Sequence, residues 1–555
     1  MRRYLLGLLS AFLMFGTSQA VTAQQSPIKP FGLPFSDPPG PITWLLDQQF
    51  GNTVGALNYG RYWYAAGQNL HFGVDFAAPC NTPVVAIGDG EIDQVDNMSF
   101  GLEPHNLTIF HRDLRLTSLY GHLNVKSTLL KGQPIRRGEI IGYSGDPDLT
   151  CESRPHLHLE IRSSDYSLAY NPINYINADW DGLATIGYHL FGGFIKDLNH
   201  PNRWQTATDQ PDIDFNEAPL NEYAQAWPPP VRSAPPPYTR PTFSAAPITG
   251  EPTMHTLSRP GCCSWAWWAP DSQSIRYWDG PDGQPAQIFA QSINGGDPQV
   301  FDTSYQIRSA DDRYKLVMTS GRVSIFMPDG AEVPLSTGGA FPQFSPSIQR
   351  LLWHRYPADD IPGSTPPATE VWISGLDGSN RQLLKVQQGG SVYWLDEDRV
   401  LLSEPIGRAN KFRLSLFTIS TQTLETMLPE AGYMRALAVA PGGKYVLIYA
   451  PFQQDPTNSG MYLLQTVANT AAVRLPLFGS YRWRDSNSFF YLPYLPDQRT
   501  YVMLYDITTG QSTAVTDANK QPIRVTNDDW SVSPDGMSIL YWDGSDYTLR
   551  TLTWK

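Results

Sequence analysis

Residues 155–161 read Pro155-His156-Leu157-His158-Leu159-Glu160-Ile161, in which polar and apolar side chains alternate strictly. This alternation predicts a β-strand, because successive side chains on a strand point to opposite faces. The apolar residues are then expected to face a core, while His156, His158 and Glu160 share the other face. Two imidazoles therefore project into one polar space.

Two further histidine-containing segments lie upstream. In His71-Phe72-Gly73-Val74-Asp75 the histidine and the aspartate are four positions apart. The glycine and the nearby Pro79 disfavour a helix, but in a helix or in an extended chain this spacing puts both side chains on one face, where they can address one metal ion. The second segment, Tyr120-Gly121-His122-Leu123, ends a strand-like apolar run. Together the three segments supply His, Asp and His, which suit zinc, and two more imidazoles for proton transfer.

The order of these segments resembles the lysostaphin and LytM-type zinc endopeptidases, which degrade bacterial cell-wall peptides. The resemblance runs from about Leu70 to Ile176 and includes a turn at Gly88-Asp89-Gly90 and a glycine-bounded segment from Gly132 to Gly142. It implies an antiparallel β-sheet metallopeptidase domain that hydrolyses peptide bonds in peptidoglycan cross-links. It also implies site residues: one zinc ion bound by His71, Asp75 and His158, and a fourth position lined by the catalytic residues His122 and His156.

Three protein ligands leave one zinc position for water, whose pKa the metal lowers toward about 7. His122 or His156 then takes up the water proton, stabilises the oxyanion or returns a proton to the leaving amine. The sequence leaves the division of these roles open. Glu160 is expected to orient a ligand, and His111 is expected to be a structural strand residue, with a place in the groove as the alternative.

The chain departs from the family pattern at Cys80-Asn81 and in a longer loop from Asp146 to Arg154, which is expected to reshape the groove. Cys80, Cys151, Cys262 and Cys263 allow three pairings, which sequence alone leaves open. We favour Cys80 with Cys151, because both flank segments that converge on the site. The adjacent pair is expected to form a strained ring or two buried thiols.

The C-terminal half contains an approximate repeat. Short β-rich runs follow turn signals that recur every 40 to 50 residues or so, as propeller blades do. The turn signals begin at Trp268, Ser309, Phe344, Trp394, Ala440, Trp483 and Ser533. This half resembles the TolB-like and WD-repeat-like propellers, whose blades often carry a Ser-Pro-Asp-Gly turn, as in Ser533-Pro534-Asp535-Gly536. Seven blades are favoured over six or eight, and residues near Thr253 to Leu257 are expected to close the ring with an outer strand.

The predicted fold class is therefore all-β, in four parts: a signal peptide over 1–23, a zinc metallopeptidase domain over 26–226 with its core at about 50–180 and a C-terminal extension, a proline-rich linker over 227–250, and a β-propeller over 251–555. The linker favours polyproline II and acts as a semi-rigid spacer or packs along one domain. The propeller holds only isolated histidines, such as His255 and His354. A glycan or protein ligand is the role expected of it.

The bulk properties agree with an exported protein. The chain has 555 residues and a formal net charge of -13, which argues against nucleic acid as a partner. Met1-Arg2-Arg3 precedes an apolar run too short to span a bilayer, so a secreted or cell-envelope protein with no membrane span is expected. Two alternatives are a catalytically silent regulator of cell-wall hydrolases and a propeller-centred binding protein. The oligomeric state is left open.

Overall fold

The computed structural model describes residues 29–187, 207–220, 240–260, 264–279, 287–303, 306–355, 368–407, 411–432, 434, 436–468, 470–496 and 500–555. The predicted signal peptide, most of the linker, and Cys262 and Cys263 lie outside these ranges. The all-β prediction is confirmed: the described residues form 39 strands and two α-helices, Val54–Trp63 (α1) and Trp180–Ile186 (α2). Neither helix has the length and apolar character that a membrane crossing requires.

Eleven strands form the N-terminal domain. Nine of them make one sheet, and β3 and β8 pair separately. The strands are β1 Leu45–Gln48, β2 Val74–Ala77, β3 Pro83–Val85, β4 Gly90–Val95, β5 His105–His111, β6 Leu116–Leu123, β7 Pro134–Ile135, β8 Ile140–Tyr143, β9 His156–Ser163, β10 Leu168–Tyr170 and β11 Ile213–Asp214. Short 3-10 turns lie at Ala65–Gly67, Met98–Phe100 and Pro172–Asn174.

The large sheet places the histidine-containing strands side by side. Its main order is β1-β2-β9-β6-β5-β4-β7, so β9 lies between β2 and β6. All these pairs are antiparallel, and the register sets Asp75 opposite His158 on one side and Gly121 opposite His158 on the other. Residues far apart in the chain therefore meet at the middle of the sheet.

The alternation in β9 works as its sequence predicts. Leu157, Leu159 and Ile161 are fully buried and join an apolar cluster with Phe76 and Trp44. Burying each such side chain contributes about 1.5 to 3 kcal/mol. This packing holds β9 rigidly, and the opposite face of the strand carries His156, His158 and Glu160.

Within the described residues the C-terminal half contains seven four-stranded antiparallel sheets, which confirms a seven-bladed β-propeller. Its strands are β12 Thr253–Thr256; β13 Ser264–Trp268, β14 Ser274–Asp279, β15 Gln287–Ser292 and β16 Gln299–Asp302; β17 Gln306–Arg308, β18 Lys315–Thr319, β19 Arg322–Phe326 and β20 Glu332–Leu335; β21 Gln343–Phe344, β22 Arg350–Arg355, β23 Ala368–Gly375 and β24 Gln382–Gln388; β25 Ser391–Trp394, β26 Arg399–Pro405, β27 Lys411–Thr418 and β28 Thr423–Gly432; β29 Ala436–Val439, β30 Tyr445–Ala450, β31 Gly460–Gln465 and β32 Val473–Leu475; β33 Gly479–Trp483, β34 Ser488–Pro493, β35 Met503–Asp506 and β36 Gln511–Ala514; and β37 Val525–Val532, β38 Ser538–Asp543 and β39 Thr548–Thr553.

The ring closes as predicted. Strand β12 adds to β39, with Met254 opposite Leu552, and so completes the last blade from the N-terminal end of the propeller. The turn at Ser533 closes on itself, because the Ser533 hydroxyl donates to Asp535 and accepts from the amide of Ser538. The end of the linker packs along the propeller rather than standing free of it, since Arg240 donates to the carbonyls of Ser533 and Trp483.

The two halves of the chain contact each other directly. Leu45, Ala77 and Ile186 belong to one buried cluster with propeller residues such as Tyr449 and Tyr481. A salt bridge from Nε of Arg524 to Asp181, 2.5 Å long, joins the propeller to α2. The sheet edge formed by β1 and β2, together with α2, therefore packs against the propeller.

Candidate metal centre

Three side chains converge where β2 and β9 meet the segment before β2. His71, Asp75 and His158 are all buried, and one ligand atom from each lies within 4.8 Å of the others. Nε2 of His71 is 3.2 Å from Oδ2 of Asp75 and 3.3 Å from Nδ1 of His158. Nδ1 of His158 is 2.7 Å from Oδ1 of Asp75. Among the described residues this is the only such group of His, Cys, Asp or Glu.

Backbone and carboxylate partners orient the two imidazoles of this group. Nδ1 of His71 donates to the carbonyl of Gln49 at 2.7 Å, so Nε2 presents its lone pair to the centre. His158 is turned the other way: Nδ1 faces the centre, and Nε2 lies 3.3 Å from Oε1 of the fully buried Glu160. Glu160 in turn pairs closely with Arg162. Neither Nε2 of His158 nor Oε1 of Glu160 has a hydrogen-bond partner among the described residues, so the orienting role of Glu160 stays a prediction.

The charges of the centre are strongly coupled. Burial alone would raise the pKa of Asp75, but His71, His156 and His158 outweigh it and hold that pKa well below its usual range. Burial would lower the pKa of His158, but Asp75 and Glu160 raise it to about 9. A buried carboxylate surrounded by imidazoles is the electrostatic pattern of a cation site.

His122 and His156 lie beside this group. Their ring centroids are 4.6 Å apart, and Nε2 of His156 is 3.9 Å from Oδ1 of Asp75. Nδ1 of His156 donates to the carbonyl of Arg154 at 2.7 Å, and Nδ1 of His122 donates to the carbonyl of Glu103. Each ring therefore keeps an unprotonated Nε2. Burial lowers the pKa of both residues, more strongly for His122, so both are neutral proton acceptors at pH 7.

This geometry coincides with a family match. Residues 69–172 match the model of Peptidase family M23. The chain carries an M23 peptidase domain. Lysostaphin from Staphylococcus staphylolyticus and this chain are 29% identical over 162 residues, which cover 29% of this chain and 31% of lysostaphin. "Peptidoglycan DD-endopeptidase ShyA" from Vibrio cholerae is 37% identical over 91 residues, which cover 16% of this chain and 20% of ShyA.

The match spans a third or less of the length of these curated relatives. A solved structure of the catalytic domain of lysostaphin from Staphylococcus simulans is 25% identical, covers 23% of this chain and 90% of that chain, and gives a TM-score of 0.19.

Tyr64, which lies just before the matched range, contacts the candidate metal centre and was missed by sequence reasoning. The ring of Tyr64 lies 5.0 Å from that of His71, and its hydroxyl donates to Oε1 of Gln48 at 3.1 Å. Burial, followed by the charge of Asp75, raises its pKa, so the hydroxyl stays protonated. The aromatic run Tyr62-Trp63-Tyr64, seven residues before His71, was the available signal.

Gly73 explains the spacing of the first segment. A side chain there would lie 2.6 Å from Nε2 of His158 and 2.8 Å from the carbonyl of Leu159. Only glycine lets β2 approach β9 this closely beside the metal centre. The spacing between His71 and Asp75 is thus set by packing as well as by ligand geometry.

The structure also bears on the predicted disulfide and on the remaining histidines. Cys80 and Cys151 form the predicted disulfide. His111 is structural: Nδ1 donates to the carbonyl of Asp89, and Nε2 lies 2.8 Å from the hydroxyl of Ser118. These hydrogen bonds agree with the expected structural role of His111. The propeller histidines His255 and His354 join no candidate metal group of the described residues.

Proposed function

We propose that this chain is a zinc metallo-endopeptidase that hydrolyses peptide bonds in peptidoglycan cross-links. The observation that carries the proposal is the buried convergence of His71, Asp75 and His158, with two neutral imidazoles beside it, inside an M23 domain. The relatives named as lysostaphin and as a peptidoglycan endopeptidase support a cell-wall substrate.

The donor set fits zinc. Two nitrogens and one carboxylate oxygen are a ligand set of catalytic zinc sites, which keep a fourth position open. The carbonyl of Gln49 fixes the His71 ring through a hydrogen bond, and the Glu160 carboxylate lies beside Nε2 of His158, where outer partners of zinc ligands are found. The proton on Nδ1 of His158 is the one that a metal ion would replace. A zinc ion held there would supply Lewis acidity, which activates water and polarises a peptide carbonyl.

The chain's own residues supply the proton transfers. His122 and His156 have their Nδ1 protons committed to backbone carbonyls, so Nε2 of either can accept a proton and later return it to the leaving amine. Their low pKa values keep that nitrogen free at neutral pH. The Tyr64 hydroxyl remains a protonated donor at the edge of the centre.

We also propose export and the domain plan. Residues 1–23 serve as a signal peptide, 26–226 form the catalytic unit with its extension, 227–250 link it to the propeller, and 251–555 form the propeller. The Cys80–Cys151 disulfide agrees with an oxidising compartment outside the cytoplasm. The propeller positions the enzyme or binds a wall component. A glycan or protein ligand for the propeller stays a prediction.

Digestion of purified peptidoglycan tests the proposal. The zinc-loaded full chain is incubated with sacculi, and the muropeptides are then quantified by mass spectrometry. We expect cross-linked muropeptides to fall and their monomers to rise, with Asp75→Ala as the inactive control. An unchanged muropeptide profile under zinc-replete conditions would contradict the proposal that peptidoglycan is the substrate. It would favour the alternative that the chain is a catalytically silent regulator of cell-wall hydrolases.

A further inference from the structure

An arginine and a tryptophan form a pair at the edge of the catalytic cluster. Trp63 ends α1 and is 39% exposed. Arg154 precedes β9, its side chain is 48% exposed, and its guanidinium lies 5.5 Å from the centroid of the Trp63 ring. At this distance the cation and the ring attract each other. The pair therefore presents a positive charge on an apolar support.

The pair is adjacent to the reacting groups on both sides. Trp63 contacts Tyr64, whose ring lies against His71. The carbonyl of Arg154 accepts the hydrogen bond from Nδ1 of His156. The Arg154 side chain therefore lies next to the residues that flank the centre, within reach of a peptide bound there.

The loop before β9 holds Arg154 in place. Cys151 ties it to Cys80, and the Asp146 carboxylate accepts hydrogen bonds from the hydroxyl and amide of Ser153. Nε of Arg154 lies 3.4 Å from Oδ2 of Asp148. A guanidinium held this way loses little freedom when it binds a ligand.

The terminal nitrogens of Arg154 are the part that can bind a ligand. Its salt bridge uses Nε, and within the described ranges neither terminal NH2 group donates a hydrogen bond to the chain. Two parallel N–H groups match the two oxygens of a carboxylate, and such charge-assisted pairs are the strong ones. A peptide cross-link offers a carboxylate wherever an acidic residue or a free chain end lies near the scissile bond.

We propose that Arg154, supported by Trp63, binds a carboxylate of the substrate peptide and makes the enzyme selective for cross-links that carry one. The inference rests on the proposed function and names the substrate class of the same site. Arg154 acts on specificity: it binds the peptide beside the scissile bond and takes no part in the proton transfers.

Two synthetic cross-link peptides, identical except for a free carboxylate or a carboxamide at one position, test the inference with the full zinc-loaded chain. We expect KM to be about 10- to 100-fold lower for the carboxylate peptide, the range for hydrogen bonds to a charged group. Arg154→Gln should abolish that difference with kcat nearly unchanged, because binding common to ground and transition states is lost. Arg112→Gln, which removes an exposed arginine salt-bridged to Glu91 at 3.4 Å, is the matched control and should behave like the parent.

Two variants exclude a folding artefact. Arg154→Lys keeps the charge and should retain part of the preference, and Arg154→Glu should reverse it, so that the carboxamide peptide is cut faster. A misfolded loop cannot produce a reversal. Equal kinetics for both peptides in the parent, or an unchanged preference in Arg154→Gln, would overturn the inference while leaving the proposed endopeptidase intact.

Calorimetry separates this outcome from a failure of the proposed function. If the parent cuts neither peptide, the endopeptidase proposal fails on these substrates, but binding still decides the role of Arg154. Tighter binding of the carboxylate peptide that Arg154→Gln abolishes would support the inference without hydrolysis. Binding that ignores the carboxylate, such as stacking on Trp63 alone, would overturn it.

Discussion

The M23 domain and the propeller differ in the buried polar groups that they bring together. Turn residues of the propeller blades are satisfied locally: Asp485 accepts from the amide of Asn487 and the hydroxyl of Ser488, and Ser533 closes its own turn. In the M23 domain His71 and Asp75 meet His158 across 87 and 83 residues of chain. Local closure gives a stable scaffold, whereas a buried carboxylate and two imidazoles that converge from distant segments give a place for a cation.

The largest expected effect comes from a substitution in the candidate metal centre of the M23 domain. Asp75→Ala removes a candidate ligand and leaves two imidazoles, so we expect the protein to be purified with little zinc. Turnover on a cell-wall substrate should fall to background, a loss of several orders of magnitude, because the activated water is lost with the ion. His255→Ala in the propeller is the matched control and should change neither value. Full zinc occupancy in Asp75→Ala would show that the metal lies elsewhere.

Removing the disulfide tests whether the M23 domain and the propeller unfold independently of each other. Cys80 and Cys151 are 71 residues apart, and closing such a loop stabilises the folded state by about 4 kcal/mol in the chain-entropy model. Cys80→Ser with Cys151→Ser should therefore lower the free energy of unfolding of the M23 domain by up to that amount. Hydrogen exchange resolved by mass spectrometry should show lost protection in β8 and β9 but not in β38. Equal losses in both regions would mean that the two unfold as one unit.

Most of the features that could be predicted from the sequence depend on short-range patterns of residues. The alternation in β9 predicted which side chains join the apolar core. The polar side chains on the other face of the strand are buried as well. The register between β2 and β9 brings Asp75 opposite His158. The seven turn signals matched seven blades, and Thr253–Thr256 closes the last one, because each blade repeats a short-range pattern of strand and turn.

What the sequence did not predict depends on contacts between distant residues. The segment around Asp179 had no assigned role, yet Asp181 meets Arg524 across 343 residues and α2 packs on the propeller. Tyr64 was missed because the aromatic run that contains it does not show by itself which ring contacts His71. No local period encodes either contact.

A smaller effect is expected from a substitution that separates zinc binding from proton transfer in the M23 domain. His122→Ala leaves the three candidate ligands intact, so zinc per chain should stay at the parent value. Turnover should fall on the order of 100-fold or more, the size of a lost acid-base contribution. Elemental analysis beside turnover measures both. Loss of zinc as complete as in Asp75→Ala would make His122 a ligand, and full activity would assign the proton transfer to His156 alone.

The smallest expected effect concerns the junction of the two regions. Arg524→Ala removes a partly exposed salt bridge to Asp181, which contributes up to about 1 kcal/mol. The free energy of unfolding, from urea denaturation, should fall by no more than that, and zinc content and turnover should not change. A large loss of turnover would mean that the propeller controls the geometry of the site.

Anomalous diffraction at the zinc edge, from crystals of the full chain grown with zinc, tests the central claim most directly. We expect one strong peak in the M23 domain, about 2.0 to 2.2 Å from Nε2 of His71, Nδ1 of His158 and a carboxylate oxygen of Asp75. His122 and His156 should lie beside the peak without binding it. A peak bound by His122 and His156 instead, or no peak at this centre, would contradict the account.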